Sequence, residues 1–286
     1  MDQLLEDLLK VITLERLELN LFRGESRDIG SAQVFGGQVL GQALVAASAT
    51  VEDRTVHSLH AYFLRRGDFN APIIYEVDRA RDGNHFSMRR VVAIQHGQPI
   101  FNMSASFQFP EVGLDHQMQM PAVPAPETLA DLESYYRDLP IELPARLRRF
   151  VDRRRPFQFK PVDPPNHLVG HKLPPVKNVW LRTVDKLPDD QSLHRSLLAY
   201  VSDFNLLETA TLPHGLSVTR DVLVMASIDH AMWFHHDVRV DDWLLYSTDS
   251  PSSSGARGFT RGSIFSRDGR LVASTSQEGL MRVIKP

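Results

Sequence analysis

The sequence predicts an α+β protein made of two tandem units, each an antiparallel sheet wrapped around a central helix. The first observation is a repeat, because similar strand-like segments follow one another in the same order in residues 56–109 and 227–280. The second is turn spacing: 14 residues separate Gly83 from Gly97, and 14 separate Gly255 from Gly269. The third is an apolar helical segment ahead of each strand set, at 36–50 and 194–211. A helix that is apolar on nearly every side must be buried on nearly every side, and a curved sheet can enclose it.

The segments outside the repeat carry patterns of their own. Residues 2–19 combine early acidic residues with apolar residues at helical spacing, which predicts an amphipathic helix and not a secretory signal. Most of the 18 prolines lie between Pro110 and Pro188, which indicates a connector containing one helical stretch (ETLADLESYYRDL) and two strands (FQFKPV and VWLRTV). We therefore predict an N-terminal unit over 1–111, a proline-rich connector over 112–155 and a C-terminal unit over 156–286.

Composition excludes several classes of function. The 32 basic and 35 acidic side chains leave a net charge of −3, so no overall field attracts nucleic acid or an anionic membrane. The arginine-rich stretches between residues 146 and 156 lack interleaved aromatic residues, so we expect a solvated surface there and no nucleic-acid site. There is no cysteine, which excludes disulfides, thiolate metal sites and a cysteine nucleophile. No apolar run approaches the roughly 18 residues of a membrane span, so we expect a cytoplasmic protein.

Three histidines are crowded into the segment ASIDHAMWFHH at 226–236, which raises the question of a metal site. We interpret the segment as one strand, in which side chains alternate between two faces. His230 and His236 then share a face but lie roughly 20 Å apart, while His235 and His236 point to opposite faces. The segment therefore predicts hydrogen-bonded strand histidines and no metal. Aligning His60-Ala61 with His230-Ala231 places Ser227 where the first repeat has His57.

Polar residues within apolar elements are the best candidates for catalytic residues. Asp203 falls within a helical segment that should be buried, where a carboxylate is costly unless it is paired or catalytic. Gln277 replaces the small Ala105 of the first repeat. A G-x-S-x-G motif and the glycine-rich loops that bind nucleotides are absent, so we expect neither a covalent acyl-enzyme nor a nucleotide cofactor.

Eight segments together carry a family resemblance that covers residues 8 to 283. They are FGGQVLGQALVAA, VHSLHAYFLRRGD, RDGNHFSMRRVVAIQHGQPIF, YVSDFNLL, IDHAMWFH, WLLY, ARGF and LVASTSQEGLMR. With these segments in this order, the chain resembles acyl-CoA thioesterase II of the choloyl-CoA hydrolase type. The resemblance implies a double hotdog fold and hydrolysis of fatty acyl-CoA by a water held between an Asp, a hydroxyl and a Gln. Those roles fall on Asp203, Ser227 and Gln277.

Further expectations concern the rest of the site and the assembly, and only some of them come from the resemblance. Similar enzymes commonly have threonine where this chain has Ser227, so the β-branch that restricts χ1 is absent. No cofactor is expected beyond the coenzyme A of the small-molecule substrate. Backbone N–H groups at Gly36 and Gly37 are candidates to stabilise the thioester oxygen, and we place His57 and Arg257 among the substrate-binding candidates. A homo-oligomer, either a dimer or a tetramer, is expected to cover the edges of the sheet.

Two other functions fit the same residues. An acyl-thioester hydratase or dehydratase would pair a histidine with an acid, and His57 and His60 make it conceivable, although no acid is evident beside them in the first repeat. A non-catalytic acyl-CoA-binding module would bind without turnover. Hydration of crotonyl-CoA would identify the first alternative, and binding without release of thiol would identify the second.

Overall fold

The computed structural model describes residues 1–30, 33–137, 153–166, 170–217 and 222–284. The first unit contains two helices and six strands, which are α1 (Gln3–Ile12), β1 (Glu15–Glu18), β2 (Leu21–Gly24), α2 (Gly36–Ser48), β3 (Thr55–Phe63), β4 (Ile73–Asp82), β5 (Phe86–Gln95) and β6 (Gln98–Gln108). The amphipathic helix predicted at the N-terminus is α1: it begins at the side-chain cap of Asp2 and buries Leu5, Leu8, Val11 and Ile12.

The rest of the described chain repeats this plan after a connecting segment. Its helices are α3 (Leu132–Arg137), α4 (Gln191–Ser202) and two 3₁₀ helices, Pro126–Thr128 and Leu207–His214. Its strands are β7 (Phe157–Pro161), β8 (Val176–Thr183), β9 (Val222–Ser227), β10 (Asp229–Phe234), β11 (Leu244–Ser254), β12 (Arg257–Ser266) and β13 (Leu271–Ile284). The helical stretch and the two strands predicted within the connector region correspond to α3, β7 and β8.

The strands of both units join one antiparallel sheet. Its order is β1-β2-β4-β5-β6-β3-β10-β13-β12-β11-β8-β7, and β9 also pairs with β13. The order is symmetric about the junction of β3 with β10, because β6, β5 and β4 follow on one side as β13, β12 and β11 follow on the other. This is the hotdog duplication that the repeat predicts, and the strand order is confirmed.

The register at the junction corrects the predicted alignment of the two repeats. His60 pairs with Ser104, and Ala231 pairs with Ser276 at the same place in the second unit. His60 and Ala231 also face each other directly across β3 and β10, as two residues related by a local two-fold axis do. His60 therefore corresponds to Ala231 and not to His230. The predicted alignment, which matches the letters His-Ala of the two repeats, is one residue out of register. Such a slip exchanges the two faces of a strand.

The two central helices lie back to back inside the sheet. Every residue from Gly37 to Leu44 on α2 is buried, and so is every residue from His194 to Ser202 on α4, which confirms that both helices are enclosed. Gly37 and Gly41 allow the close approach: a Cβ at Gly37 would lie 2.1 Å from the carbonyl oxygen of Tyr200. One continuous apolar cluster includes residues of both helices and both halves of the sheet.

The connecting segment packs along the second unit. The side chain of Gln117 donates to the carbonyl of Gly269 and accepts from the backbone of Leu271, at the turn between β12 and β13. The predicted unit boundaries at 111 and 155 stay predictions. Within the described ranges, no helix combines the length and apolarity that crossing a bilayer demands.

In the described part of the arginine-rich stretch, Arg153 and Arg154 are exposed as predicted and Arg155 is not. Residues 146–152 lie outside the described residues. The side chain of Arg155 is only 8% exposed and pairs with Glu133, so it is a buried ion-pair partner and not a solvated side chain. Arg153 and Arg154 pair with Asp28 and Asp2 of the first unit. The stretch therefore contributes contacts between the two halves of the chain.

Candidate active site

Asp203 lies at the end of α4, one residue beyond Ser202, as its C-cap (φ −80°, ψ −10°). The predicted helix over 194–211 is therefore too long, and Asp203 is not in mid-helix. Two residues later Asn205 adopts a left-handed conformation (φ 57°), which ends the helix, and asparagine tolerates that conformation better than most residues. The early end of α4 directs the carboxylate toward the sheet.

Ser227 is the last residue of β9, and the chain between it and β10 contains one extra residue. Ser227 pairs with Gly279 and Ala231 pairs with Ser276, so four steps along one strand oppose three along the other. This bulge at Ile228 is held by two contacts with Glu278, whose carbonyl accepts from Ile228 and whose N–H donates to the side chain of Asp229. The segment 226–236 therefore contains parts of two strands, and the prediction of a single strand is wrong.

The bulge changes which residues share a face. Ser227 and His230 would point to opposite faces of an unbroken strand, but with one extra residue between them both side chains reach Gln277. The first unit has the same irregularity at His57, between Val56 and Ser58. Ile228, and not Ser227, is therefore the counterpart of His57.

Gln277 brings the three predicted catalytic residues together. It is buried on β13, at the position that Ala105 holds in the first unit, as predicted. Its Nε2 donates to Oδ1 of Asp203 at 3.0 Å and to Oγ of Ser227 at 2.5 Å. The Ser227 hydroxyl donates to the same Oδ1 at 3.2 Å. The three polar groups form a closed triangle although 74 residues separate Asp203 from Gln277.

The environment of Asp203 changes its acidity. Burial raises the pKa of Asp203 to about 6, while hydrogen bonds from Gln277, Ser227 and the backbone N–H of Gly37 act in the opposite direction. Asp203 is therefore mostly ionised at pH 7 and is more basic than an exposed aspartate. A carboxylate of this kind is suited to accepting a proton near neutral pH.

The glycine pair at the start of α2 lies at the same place. The N–H of Gly37 donates to the Asp203 carboxylate, and a Cβ on Gly36 would stand 2.7 Å from Oδ2 of Asp203. The first unit thus supplies backbone to a site whose side chains come from the second. In this arrangement the N–H of Gly37 is bound to Asp203, so Gly36 is the remaining one of the two predicted oxyanion donors.

The other two predicted substrate-binding residues contact different groups. His57 bonds through Nε2 to Oγ of Ser106 at 2.8 Å, and burial lowers its pKa. Arg257 is exposed and donates to Glu278 at 2.8 Å. Its strand partner is Leu280, three residues or roughly 10 Å beyond Gln277. Neither residue joins the triangle around Asp203.

His230 is the residue of this site that sequence reasoning did not connect to the others. Predicted only as a hydrogen-bonded strand histidine, it is fully buried and contacts Oε1 of Gln277 through Nδ1 at 3.2 Å. No sequence signal we considered located the bulge that brings it there. His235 bonds to Ser274 on the exposed face instead. Across the described ranges, no three His, Asp or Glu side chains are grouped in a way that would hold a metal ion.

A cavity of about 530 Å³ opens beside Asn205, two residues after Asp203. Its apolar wall includes Phe159, Val179 and Leu212, and an ion pair between Lys177 and Glu208 borders it. A mostly apolar cavity with a charged rim is typical of a site for a small amphipathic molecule, and Asp203, Ser227 and Gln277 are not among the residues that line it.

Comparisons with known proteins agree on one family. Residues 148–280 match the family model described as acyl-CoA thioesterase, and residues 23–108 match the model described as acyl-CoA thioesterase N-terminal domain. The chain is 42% identical to acyl-CoA thioesterase 2 of Haemophilus influenzae over 99% of both chains. It is also 42% identical to human acyl-coenzyme A thioesterase 8, over 96% of this chain and 88% of the human protein. Among solved structures, the acyl-CoA thioesterase II TesB2 of Mycobacterium marinum is similar, with a TM-score of 0.79 and 42% identity over 97% of this chain and 99% of that one.

Proposed function

The chain belongs to the acyl-CoA thioesterase family, and on that premise we propose that it hydrolyses fatty acyl-CoA with a water molecule held by Asp203, Ser227 and Gln277. The observation that carries the proposal is the triangle of hydrogen bonds among these side chains, with separations of 2.5 to 3.2 Å. A base, a hydroxyl and an amide so close together can all contact one water. None of the three would be a favourable residue in an apolar core by itself.

In the proposed reaction Asp203 is the general base. It takes a proton from the water, whose oxygen forms a bond to the thioester carbonyl carbon. The tetrahedral intermediate then collapses as the C–S bond breaks, and the leaving thiolate takes the proton from the Asp203 carboxyl group. Ser227 and Gln277 orient the water, which converts a weak nucleophile into an effective one. No covalent bond to the protein forms at any step.

The start of α2 supplies the partial positive charge that stabilises the negative charge developing on the thioester oxygen. Peptide N–H groups at a helix N-terminus favour negative charge, and Gly36 lies within contact of the Asp203 carboxylate. We assign the developing oxyanion to the N–H of Gly36. We assign the acyl chain to the apolar cavity beside Asn205, because its wall is mostly apolar and Asn205 follows the proposed base by two residues.

The proposal is tested by measuring thiol release from a series of acyl-CoA substrates with the parent protein and Asp203→Asn. Asparagine keeps the shape of the side chain and removes the base, so turnover should fall by roughly two to four orders of magnitude while acyl-CoA binding is largely kept. Turnover by Asp203→Asn at the parent rate would refute the mechanism. Hydration of crotonyl-CoA without thiol release would instead support a hydratase, and binding without any turnover would support a binding module.

A further inference from the structure

His230 is a buried residue between two polar side chains that belong to different elements. Its side chain is fully buried on the inner face of β10. Nδ1 lies 3.2 Å from Oε1 of Gln277 on β13, and Nε2 lies 3.0 Å from Oγ of Ser202 at the end of α4. Both ring nitrogens therefore have a partner, and one partner is a member of the catalytic triangle.

The chemistry of the partners determines where the imidazole proton lies. The Asp203 carboxylate only accepts hydrogen bonds when ionised, so the NH₂ end of Gln277 must face it and the Oε1 end must face His230. Oε1 is likewise only an acceptor, so Nδ1 of His230 must carry a proton. Burial lowers the pKa of His230 to about 4, which leaves one proton on the ring at pH 7. Nε2 is then an acceptor for the hydroxyl of Ser202.

We propose that His230 is a positioning residue, which by donating from Nδ1 to Oε1 holds the Gln277 amide with its NH₂ group toward Asp203 and Ser227. The proposal rests on the proposed function of that triangle. Rotation of the amide by half a turn would place Oε1 against the Asp203 carboxylate, where two acceptors repel each other. The N–H of His230 opposes that rotation, because the turned amide would present NH₂ to a donor.

Ser202 has a second acceptor within reach, which defines the competing arrangement. Its hydroxyl lies 2.9 Å from the carbonyl oxygen of Ala199 and 3.0 Å from Nε2 of His230. If the hydroxyl donated to Ala199, Nε2 would carry the ring proton and Nδ1 would face Oε1 of Gln277 with a lone pair. That tautomer cannot hold the amide. The two arrangements differ in one observable, the position of the ring proton.

The ring proton is measured directly in the unmodified protein by long-range ¹H–¹⁵N NMR of labelled histidine. We expect His230 to be the neutral Nδ1–H tautomer at pH 7 to pH 8, where Asp203 is ionised. A neutral Nε2–H tautomer, or a protonation midpoint near the ordinary value of 6.5, would overturn the proposal. This readout does not depend on turnover, so it separates failure of this inference from failure of the proposed mechanism.

Substitutions test whether the bond affects catalysis. His230→Leu removes the donor, and we expect kcat to fall roughly tenfold to a hundredfold with KM within a few-fold of the parent value, the usual cost of a misplaced catalytic group. His230→Asn can place an amide N–H near the position of Nδ1 and should recover most of kcat. His235→Leu is the matched control, because the His235 side chain bonds to Ser274 on the exposed face and not to the triangle, and the kcat of this variant should equal that of the parent.

A double-mutant cycle tests whether His230 acts through Gln277. In a Gln277→Ala background, His230→Leu should lower kcat no further, because there is no amide left to orient. An equal loss in both backgrounds would show that His230 acts by another route, and parent-like kcat in His230→Leu would refute the inference outright. If Asp203→Asn proves as active as the parent, the mechanism fails instead, whatever the tautomer of His230.

Discussion

The carboxylate of Asp203 lies against Gly36 so closely that a Cβ on Gly36 would stand 2.7 Å from Oδ2. The two residues come from different units, one at the N-terminus of α2 and the other at the C-terminus of α4. The same imagined Cβ would also stand 2.9 Å from the ring of Phe63. Glycine is therefore required at position 36, because a Cβ there would lie too close to Asp203 and Phe63. The site depends on both halves of the chain.

Gly36→Ala should impair catalysis more than folding. The added methyl group would displace the Asp203 carboxylate away from Ser227 and Gln277, and a shift of about 1 Å at a catalytic group can lower kcat roughly a hundredfold. The measurement is kcat for thiol release, together with the midpoint of thermal unfolding. Gly113→Ala is the control, because a Cβ there meets nothing within 4 Å. Equal kcat in the two variants would contradict this account of Gly36.

Much of the fold was predictable because it depends on periodic features. Residue spacing alone predicts two apolar helices that must be buried, and α2 and α4 confirm them. It also predicts two sets of strands in the same order, separated by turns at glycine, and the symmetric sheet confirms that order. Asp203 and Gln277 were also identified as candidates, since polar groups in apolar segments are anomalous wherever the segments lie, whereas Ser227 was singled out through an alignment that is one residue out of register. The roles assigned to them, however, came from the family resemblance and not from spacing.

The errors share one cause, which is that interruptions of regular structure leave little trace in sequence. The bulge at Ile228 and the left-handed Asn205 each insert a local change into a regular pattern. Without the bulge, His230 is assigned to the wrong face relative to Ser227, and its contact with Gln277 cannot be anticipated. Likewise, identical His-Ala pairs suggested a register that the ladders between β3 and β10 correct by one residue.

Ser227 variants should separate the hydroxyl from its rotamer. Ser227→Ala removes the group that accepts from Gln277 and donates to Asp203, so kcat should fall, by less than in Asp203→Asn because the base remains. Ser227→Thr keeps the hydroxyl and restricts χ1, so its kcat should equal or exceed that of the parent. Steady-state thiol release checks both. A threonine variant as slow as the alanine variant would show that the site does not accommodate the β-branch.

Chelation should leave the activity unchanged. The three histidines that first suggested a metal site have separate partners. His230 binds Ser202 and Gln277, His235 binds Ser274, and His236 lies 4.0 Å from the carboxylate of Asp115. The proposed base is a carboxylate that needs no metal to be ionised at pH 7. Thiol release is measured after dialysis against EDTA and again after addition of zinc. A loss of turnover on chelation that zinc restores would overturn this prediction.

The raised pKa of Asp203 should affect activity and stability in opposite directions. Only the ionised carboxylate can act as a base, so kcat/KM should rise with pH to a plateau above about 6, the value to which burial raises the pKa of Asp203.

The ordinary pKa of the Asp203 carboxyl group is 3.8, so between pH 3.8 and about pH 6 the folded protein binds the proton more tightly than the unfolded chain does. The free energy of unfolding contributed by this group therefore decreases as pH rises from 4 to 6, and the full cost of ionising a buried carboxylate is present above pH 6. Asp203→Asn removes that cost, so at pH 7 the inactive variant should be more stable than the parent by about 1 to 3 kcal/mol, and the difference should shrink toward pH 4. Urea unfolding at pH 7 and pH 4.5 measures both differences. An asparagine variant that is less stable than the parent at pH 7 would mean that the hydrogen bonds of Gln277, Ser227 and Gly37 to the carboxylate outweigh its desolvation.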